Sequence, residues 1–161
     1  MTSKKKTIAL LLSGFLLGVV ATGVAVWRLM PGMMIVEHQS RFSFDQTISK
    51  LVSAVKAKGW SVPKVRDMNK TMAKHGVTMK RRVKIVEMCK APYAKDVLSS
   101  DPQVATLMPC AVGVYERDGK VYLSGMNMGL MGKLFGGNIG RVMGGQVAGE
   151  ERAMLKSVIV N

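Results

Sequence analysis

The sequence predicts an α+β fold, an antiparallel sheet with helices packed on one face, preceded by one transmembrane helix. Three observations carry that prediction. Ile8 to Trp27 is a run of 20 residues without Asp, Glu, Lys or Arg, and as a helix it spans about 30 Å, one hydrocarbon thickness. Beyond it, strand and helix patterns alternate, and the last two strands read as a hairpin with its helices segregated. Finally, 161 residues at 48% hydrophobic suffice for one ordinary core beside the anchor and exclude a disordered chain.

Residues 1–7 form a basic N-terminus, 8–28 the anchor and 29–32 a linker. Lys4, Lys5 and Lys6 precede the apolar run, and only Arg28 and Arg41 follow at comparable distance. The positive-inside rule then keeps the N-terminus in the cytoplasm. The expectation is a single pass of the inner (cytoplasmic) membrane with a periplasmic or otherwise extracytoplasmic domain. A cleaved signal peptide competes, but the apolar core is long for one and no clean A-x-A site precedes Arg28. Gly14 and Gly18 match the small-xxx-small pattern of paired helices. Pro31-Gly32 is expected to end the helix.

The core is placed at 33–125, with 126–161 a glycine-rich helical segment completing the domain. Met33 to His38 reads as a strand. Ser43 with Gln46 three residues on is a capping-box pattern, and Phe44, Ile48, Leu51, Val52 and Val55 recur at helical spacing up to Gly59. Trp60 to Arg66 reads as a strand whose Pro63 belongs at an edge. Asp67 caps a short helix to Lys74 that stops at Gly76. Arg81 to Met88 alternates as a strand, Pro92 opens a helix ending near Ser99, and Asp101-Pro102 breaks the chain. Ala111–Arg117 and Lys120–Ser124 flank Asp118-Gly119, a two-residue turn signal.

Taken together, Glu37-His38 through Gly59-Trp60, Val86-Glu87-Met88-Cys89 with Pro92-Tyr93, Met108-Pro109-Cys110, Val114-Tyr115-Glu116 with Asp118-Gly119-Lys120, and Met126-Asn127 before Gly-Leu-Met-Gly resemble domain-of-unknown-function family 302. The resemblance runs over residues 33 to 150. It implies a TATA-binding-protein-like antiparallel sheet and a tendency to form homodimers, and it implies no established activity. One departure stands out: the family's Cys-Asn-Pro is here Cys89-Lys90-Ala91-Pro92.

The two cysteines are the sharpest chemical feature. Cys89 closes one expected strand and Cys110 opens another, so an antiparallel sheet can bring them together. Four states are open: a disulfide, a sulfur or redox carrier with one thiolate attacking and the other resolving, soft-metal ligation, or two buried free cysteines. Absence of a C-x-x-C excludes a thioredoxin-type motif. Fourteen methionines include Met88 beside Cys89 and Met108 two before Cys110, and thiolate with thioether selects Cu(I). Core filling is the ordinary use of methionine and is weighted above ligation. His38 and His75 are isolated.

Residues 50–95 hold 13 Lys and Arg against two acids, Asp67 and Glu87. In a tethered domain that basic stretch, with Lys80, Arg81, Arg82 and Lys84 at its centre, is expected to face membrane lipid or a small anionic ligand, and a small sulfur-containing ligand is the other partner expected. Nucleic acid is not expected, given the exported topology and 6% aromatic residues. Gly132, Gly136, Gly140 and Gly144 repeat every four residues as a glycine zipper, and as one helix they would present a smooth strip for self-association. No paired carboxylates, G-x-S-x-G, H-E-x-x-H or dinucleotide fingerprint occurs. The sequence therefore identifies no catalytic residue and no cofactor. It favours a non-catalytic, dimeric binding module, with a thiol-dependent carrier or Cu(I) protein using Cys89 and Cys110 as the alternative.

Overall fold

The computed structural model describes residues 2–160. Met1 and Asn161 lie outside the described residues, as do the side chains of residues 2–5, Lys4 and Lys5 included. The chain divides into two compact units, the first ending at Met34 and the second beginning at Ile35.

The first unit is a single helix, α1 (Thr2–Met34). Within it, Lys6–Met34 is long and apolar enough to cross a membrane, its most apolar 18-residue window having a mean hydropathy of 2.3. Leu10, Leu11, Phe15, Leu17 and Trp27 are all exposed along it. The expected stop at Pro31-Gly32 is not where the helix ends. Pro31 lies inside α1, which runs on to Met34. Proline removes one backbone hydrogen bond, and a helix of this length continues past that loss.

The second unit is an α+β domain in the order β1 (Ile35–Gln39), α2 (Phe44–Ala57), β2 (Val65–Asp67), α3 (Met68–Ala73), β3 (Val83–Met88), α4 (Ala91–Ser100), a 3-10 turn (Pro102–Leu107), β4 (Cys110–Arg117), β5 (Lys120–Met126), α5 (Met128–Phe135), α6 (Gly137–Ile139), a π-helical stretch (Gly140–Val147) and α7 (Ala148–Lys156). The strands form one five-stranded sheet in the order β1-β5-β4-β3-β2, with every pairing antiparallel. The short β2 is an edge, which suits the proline preceding it.

Alternation along the strands sorts the two faces. Val86 and Met88, Cys110, Val112 and Val114, and Val121 and Leu123 are all buried, and they form one core with Phe44, Leu51 and Val55 of α2 and Val142, Val147 and Met154 from the C-terminal helices. The opposite face is polar and aromatic. Tyr115 stacks on Tyr122 at 5.9 Å between ring centroids, the Arg117 guanidinium lies 4.1 Å from the Tyr122 ring, and Glu37 accepts hydrogen bonds from Tyr115 and Arg117.

Local chemistry sets the ends of the elements. The Ser43 N–H donates to Gln46 Oε1 at 3.4 Å at the start of α2, and the Lys70 N–H donates to the Asp67 carboxylate at 3.0 Å at the start of α3. The β4–β5 turn places Asp118 at φ 52 and Gly119 at φ 72, the left-handed pair that a two-residue hairpin demands. Gly119→Ala is accordingly expected to lose about 1–2 kcal/mol. Denaturant unfolding of the full chain in detergent checks this, and an unchanged midpoint would contradict it.

Candidate functional site

The end of the β3–β4 pair is where the two cysteines meet. Met88 stands directly opposite Cys110 in the register, and Cys89, the next residue, hydrogen-bonds Ser61 through both of its backbone groups. Cys89 and Cys110 are unbridged, the first half-buried and the second buried. Both line a small cavity of about 20 Å³, together with Met88, Met108 and Met143. Pro109, which precedes Cys110 in a cis peptide bond, also lines it. Five of the eleven lining residues carry sulfur, against sixteen sulfur-bearing residues among 161 in the chain. The fold thus concentrates sulfur at this point well beyond the chain average.

The remaining lining groups are tied elsewhere. Trp60, Lys90 and Tyr93 complete the rim, and one carboxylate from α7, Glu150, accepts hydrogen bonds from all three. Lys90 Nζ donates at 2.8 Å, the Tyr93 hydroxyl at 2.7 Å and Trp60 Nε1 at 2.5 Å. Trp60 and Tyr93 also meet edge to face with centroids 6.0 Å apart, and Lys90 Nζ lies 4.7 Å from the Tyr93 ring. Partial burial pushes the Glu150 carboxyl up, but its hydrogen bonds from Lys90, Trp60 and Tyr93 outweigh this and bring it to about 2.

Two other groups are moved the opposite way. Burial, then the Glu151 and Cys89 charges, push the Cys110 thiol up to about 12, so it rests protonated at neutral pH. Burial pushes the Glu151 carboxyl up to about 7. The carboxyl reaches toward β5, where Gly125 leaves it room: a Cβ there would stand 3.1 Å from Glu151 Oε1. On that side Cys110 also lines a larger open cavity of about 300 Å³ with Thr106, Gly125, Met126 and Met128.

The sequence-predicted residues therefore divide. Cys89, Cys110, Met88 and Met108 come together in one cavity, and Met143 joins them from the π-helical stretch. The basic stretch is less free than its composition suggests. Arg82 pairs with Asp45 at 2.8 Å and with Glu116 at 3.4 Å, and Lys84 lies 3.6 Å from Asp45. Arg82 also stacks 4.2 Å from the Phe44 ring. Lys80 and Arg81 are exposed just before β3. The acids that meet Arg82 and Lys84 come from α2 and β4, outside the stretch in which the charges were counted.

The glycine repeat does not lie on one helix. Gly136 at φ 66 and Gly137 at φ 50 turn the chain between α5 and α6, and α5 then packs against the π-helical stretch. A Cβ on Gly132 would stand 2.7 Å from the Gly144 backbone nitrogen, and one on Gly140 would stand 2.9 Å from the Gly132 carbonyl oxygen. Gly132, Gly140 and Gly144 thus meet one another within the chain. Trp60, Tyr93, Glu150 and Glu151 were not singled out from sequence as site residues. Glu150 lies 57 to 90 residues from the groups that it binds, and no local spacing signals that encounter.

The model of the family described as Domain of unknown function DUF302 matches residues 36–161. The chain belongs to the DUF302 family. Among solved structures, the domain is similar to an uncharacterized conserved DUF302 protein from Bacillus stearothermophilus, at 18% identity and a TM-score of 0.69 over 77% of this chain and 97% of that one. That likeness carries the fold. A comparison with curated proteins finds no match. The family match begins after α1, so the DUF302 domain and the helix long enough to cross a membrane are successive parts of the chain.

Proposed function

We propose that this DUF302 protein is a single-pass membrane protein whose extracytoplasmic domain binds, without turnover, a soft ligand in the cavity formed by Cys89, Cys110, Met88, Met108 and Met143. The observation that carries this reading is the convergence of those five sulfur-bearing side chains on one small cavity. The orientation rests on the lysines before the apolar run, which favour retention of the N-terminus in the cytoplasm.

Binding is favoured over thiol catalysis by the state of the groups around the cavity. A carrier that attacks through Cys110 needs that sulfur open to an incoming partner, whereas Cys110 is buried. Glu150 is committed to Lys90, Trp60 and Tyr93, so it is a clamp on the rim more than a base. The full chain, extracted from its own membrane without oxygen, tests the reading by native mass spectrometry. The expected result is a mass above that of the bare chain that disappears in the Cys89→Ser, Cys110→Ser double variant. A bare mass for the unsubstituted chain, or the same excess in the double variant, would overturn it.

A further inference from the structure

From the donor set, we infer that the ligand of this cavity is a single Cu(I) ion, held by the Cys89 and Cys110 sulfurs with thioether support from Met88, Met108 and Met143. This rests on the reading of the cavity as a ligand seat and names its occupant.

Three features select the ion. The first is size. An opening of about 20 Å³ accommodates one water-sized body, the scale of a single ion. The second is softness. Thiolates and thioethers favour Cu(I), whereas Mg(II) and Ca(II) require oxygen. Structural zinc takes four ligands drawn from Cys, His and carboxylates. Among the described residues no group of three or more His, Cys, Asp and Glu side chains is placed to hold a metal, so this cavity lacks zinc's complement. The third is the absence of harder competitors at the rim. Lys90, Tyr93 and Trp60 all point their polar atoms at Glu150, and the Glu150 oxygens are engaged by the same three groups. Sulfur is what the cavity offers an incoming ion.

The binding step balances without a co-reactant. Cu(I) and two thiols give a bis-thiolate copper centre of charge −1 and two protons released to solvent. No electron is transferred. The oxidation state of the metal and of both sulfurs is unchanged.

The test uses the reduced full chain in detergent micelles, without oxygen, loaded with Cu(I) from a chromogenic chelator and then desalted. Metal analysis is expected to give one copper per chain, and X-ray absorption at the copper edge to show sulfur neighbours alone. Cys89→Ser and Cys110→Ser should each lower retained copper at least tenfold. Met108→Leu, a volume-conserving change at a half-buried position, should weaken Cu(I) about tenfold in chelator competition while leaving the circular dichroism and melting curve in place. Copper retention by either cysteine variant equal to that of the unsubstituted chain, nitrogen or oxygen dominating the absorption spectrum, or displacement of Cu(I) by equimolar Zn(II) would each overturn the assignment. Failure of the two readings separates cleanly. A different adduct that is lost in the cysteine double variant overturns copper and keeps the ligand seat, whereas a bare chain that also refuses Cu(I) overturns both.

Discussion

Gly132→Ala is expected to destabilise the domain by about 2–3 kcal/mol, in the upper range for inserting a methyl group into packed structure, and to lower Tm by on the order of 10 °C. The atoms in the way belong to the main chain. A Cβ at Gly132 would stand 2.7 Å from the Gly144 nitrogen and 3.2 Å from the Gly140 carbonyl oxygen. No rotamer change relieves that contact. Either α5 or the π-helical stretch must move, and that stretch supplies Val142, Met143 and Val147 to the core. The same segment contains its own control. At Gly149 in α7 a Cβ meets nothing within 4 Å, and Gly149→Ala should gain up to about 1 kcal/mol from helix propensity alone. Thermal melts of the two variants in detergent should therefore move in opposite directions. Equal melting temperatures would show that α5 and its neighbour are not held at backbone contact.

The contrast shows what the sequence displays and what it hides. Elements fixed by local chemistry are legible: the Asp118-Gly119 turn, the Asp67 cap and the apolar spacing of α2 all lie within a few residues of one another, and the structure follows them. The cysteines are legible as a candidate pair because an antiparallel sheet can set two strand ends side by side, and Met88 faces Cys110. What fails is any inference that treats a stretch as its own environment. The four-residue glycine spacing is real, but Gly136 and Gly137 adopt positive φ. That turn converts a strip facing outward into two short surfaces facing each other. The charge of residues 50–95 was likewise counted without Asp45, Glu116 and Glu150, which the fold delivers to Arg82, Lys84 and Lys90. Periodicity and composition report on a segment, whereas hydrogen bonds over 60 residues, such as Lys90 to Glu150, report on topology.

Adjacent residues of α7 are expected to give the metal-free protein opposite responses to pH. Glu150 has its carboxyl lowered from 4.5 to about 2. A lowered folded value means that the unfolded chain binds the extra proton, so Glu150 contributes stability above about pH 4.5 that is lost as pH falls toward 2. With its side chain 26% exposed, solvent screening trims the contribution to about 2 kcal/mol. Glu151 has its carboxyl raised from 4.5 to about 7 by burial. Here the folded chain binds the extra proton. Its contribution is most favourable below pH 4.5, declines as pH rises toward 7, and is lower by about 3 kcal/mol at pH 8. Glu150→Gln keeps an acceptor for Trp60 and Tyr93 but loses the charge that faces Lys90. It should lower stability by about 2 kcal/mol at pH 7, a deficit that fades near pH 2. Glu151→Gln should raise stability by about 2–3 kcal/mol at pH 8 and change it little at pH 4.5, because the neutral amide avoids ionisation in a buried site. Denaturant unfolding at several pH values reads both. A Glu151→Gln variant that is less stable than the parent at pH 8 would mean that the buried carboxylate is compensated in the folded chain, and the distinct roles assigned to these two neighbours would fall together.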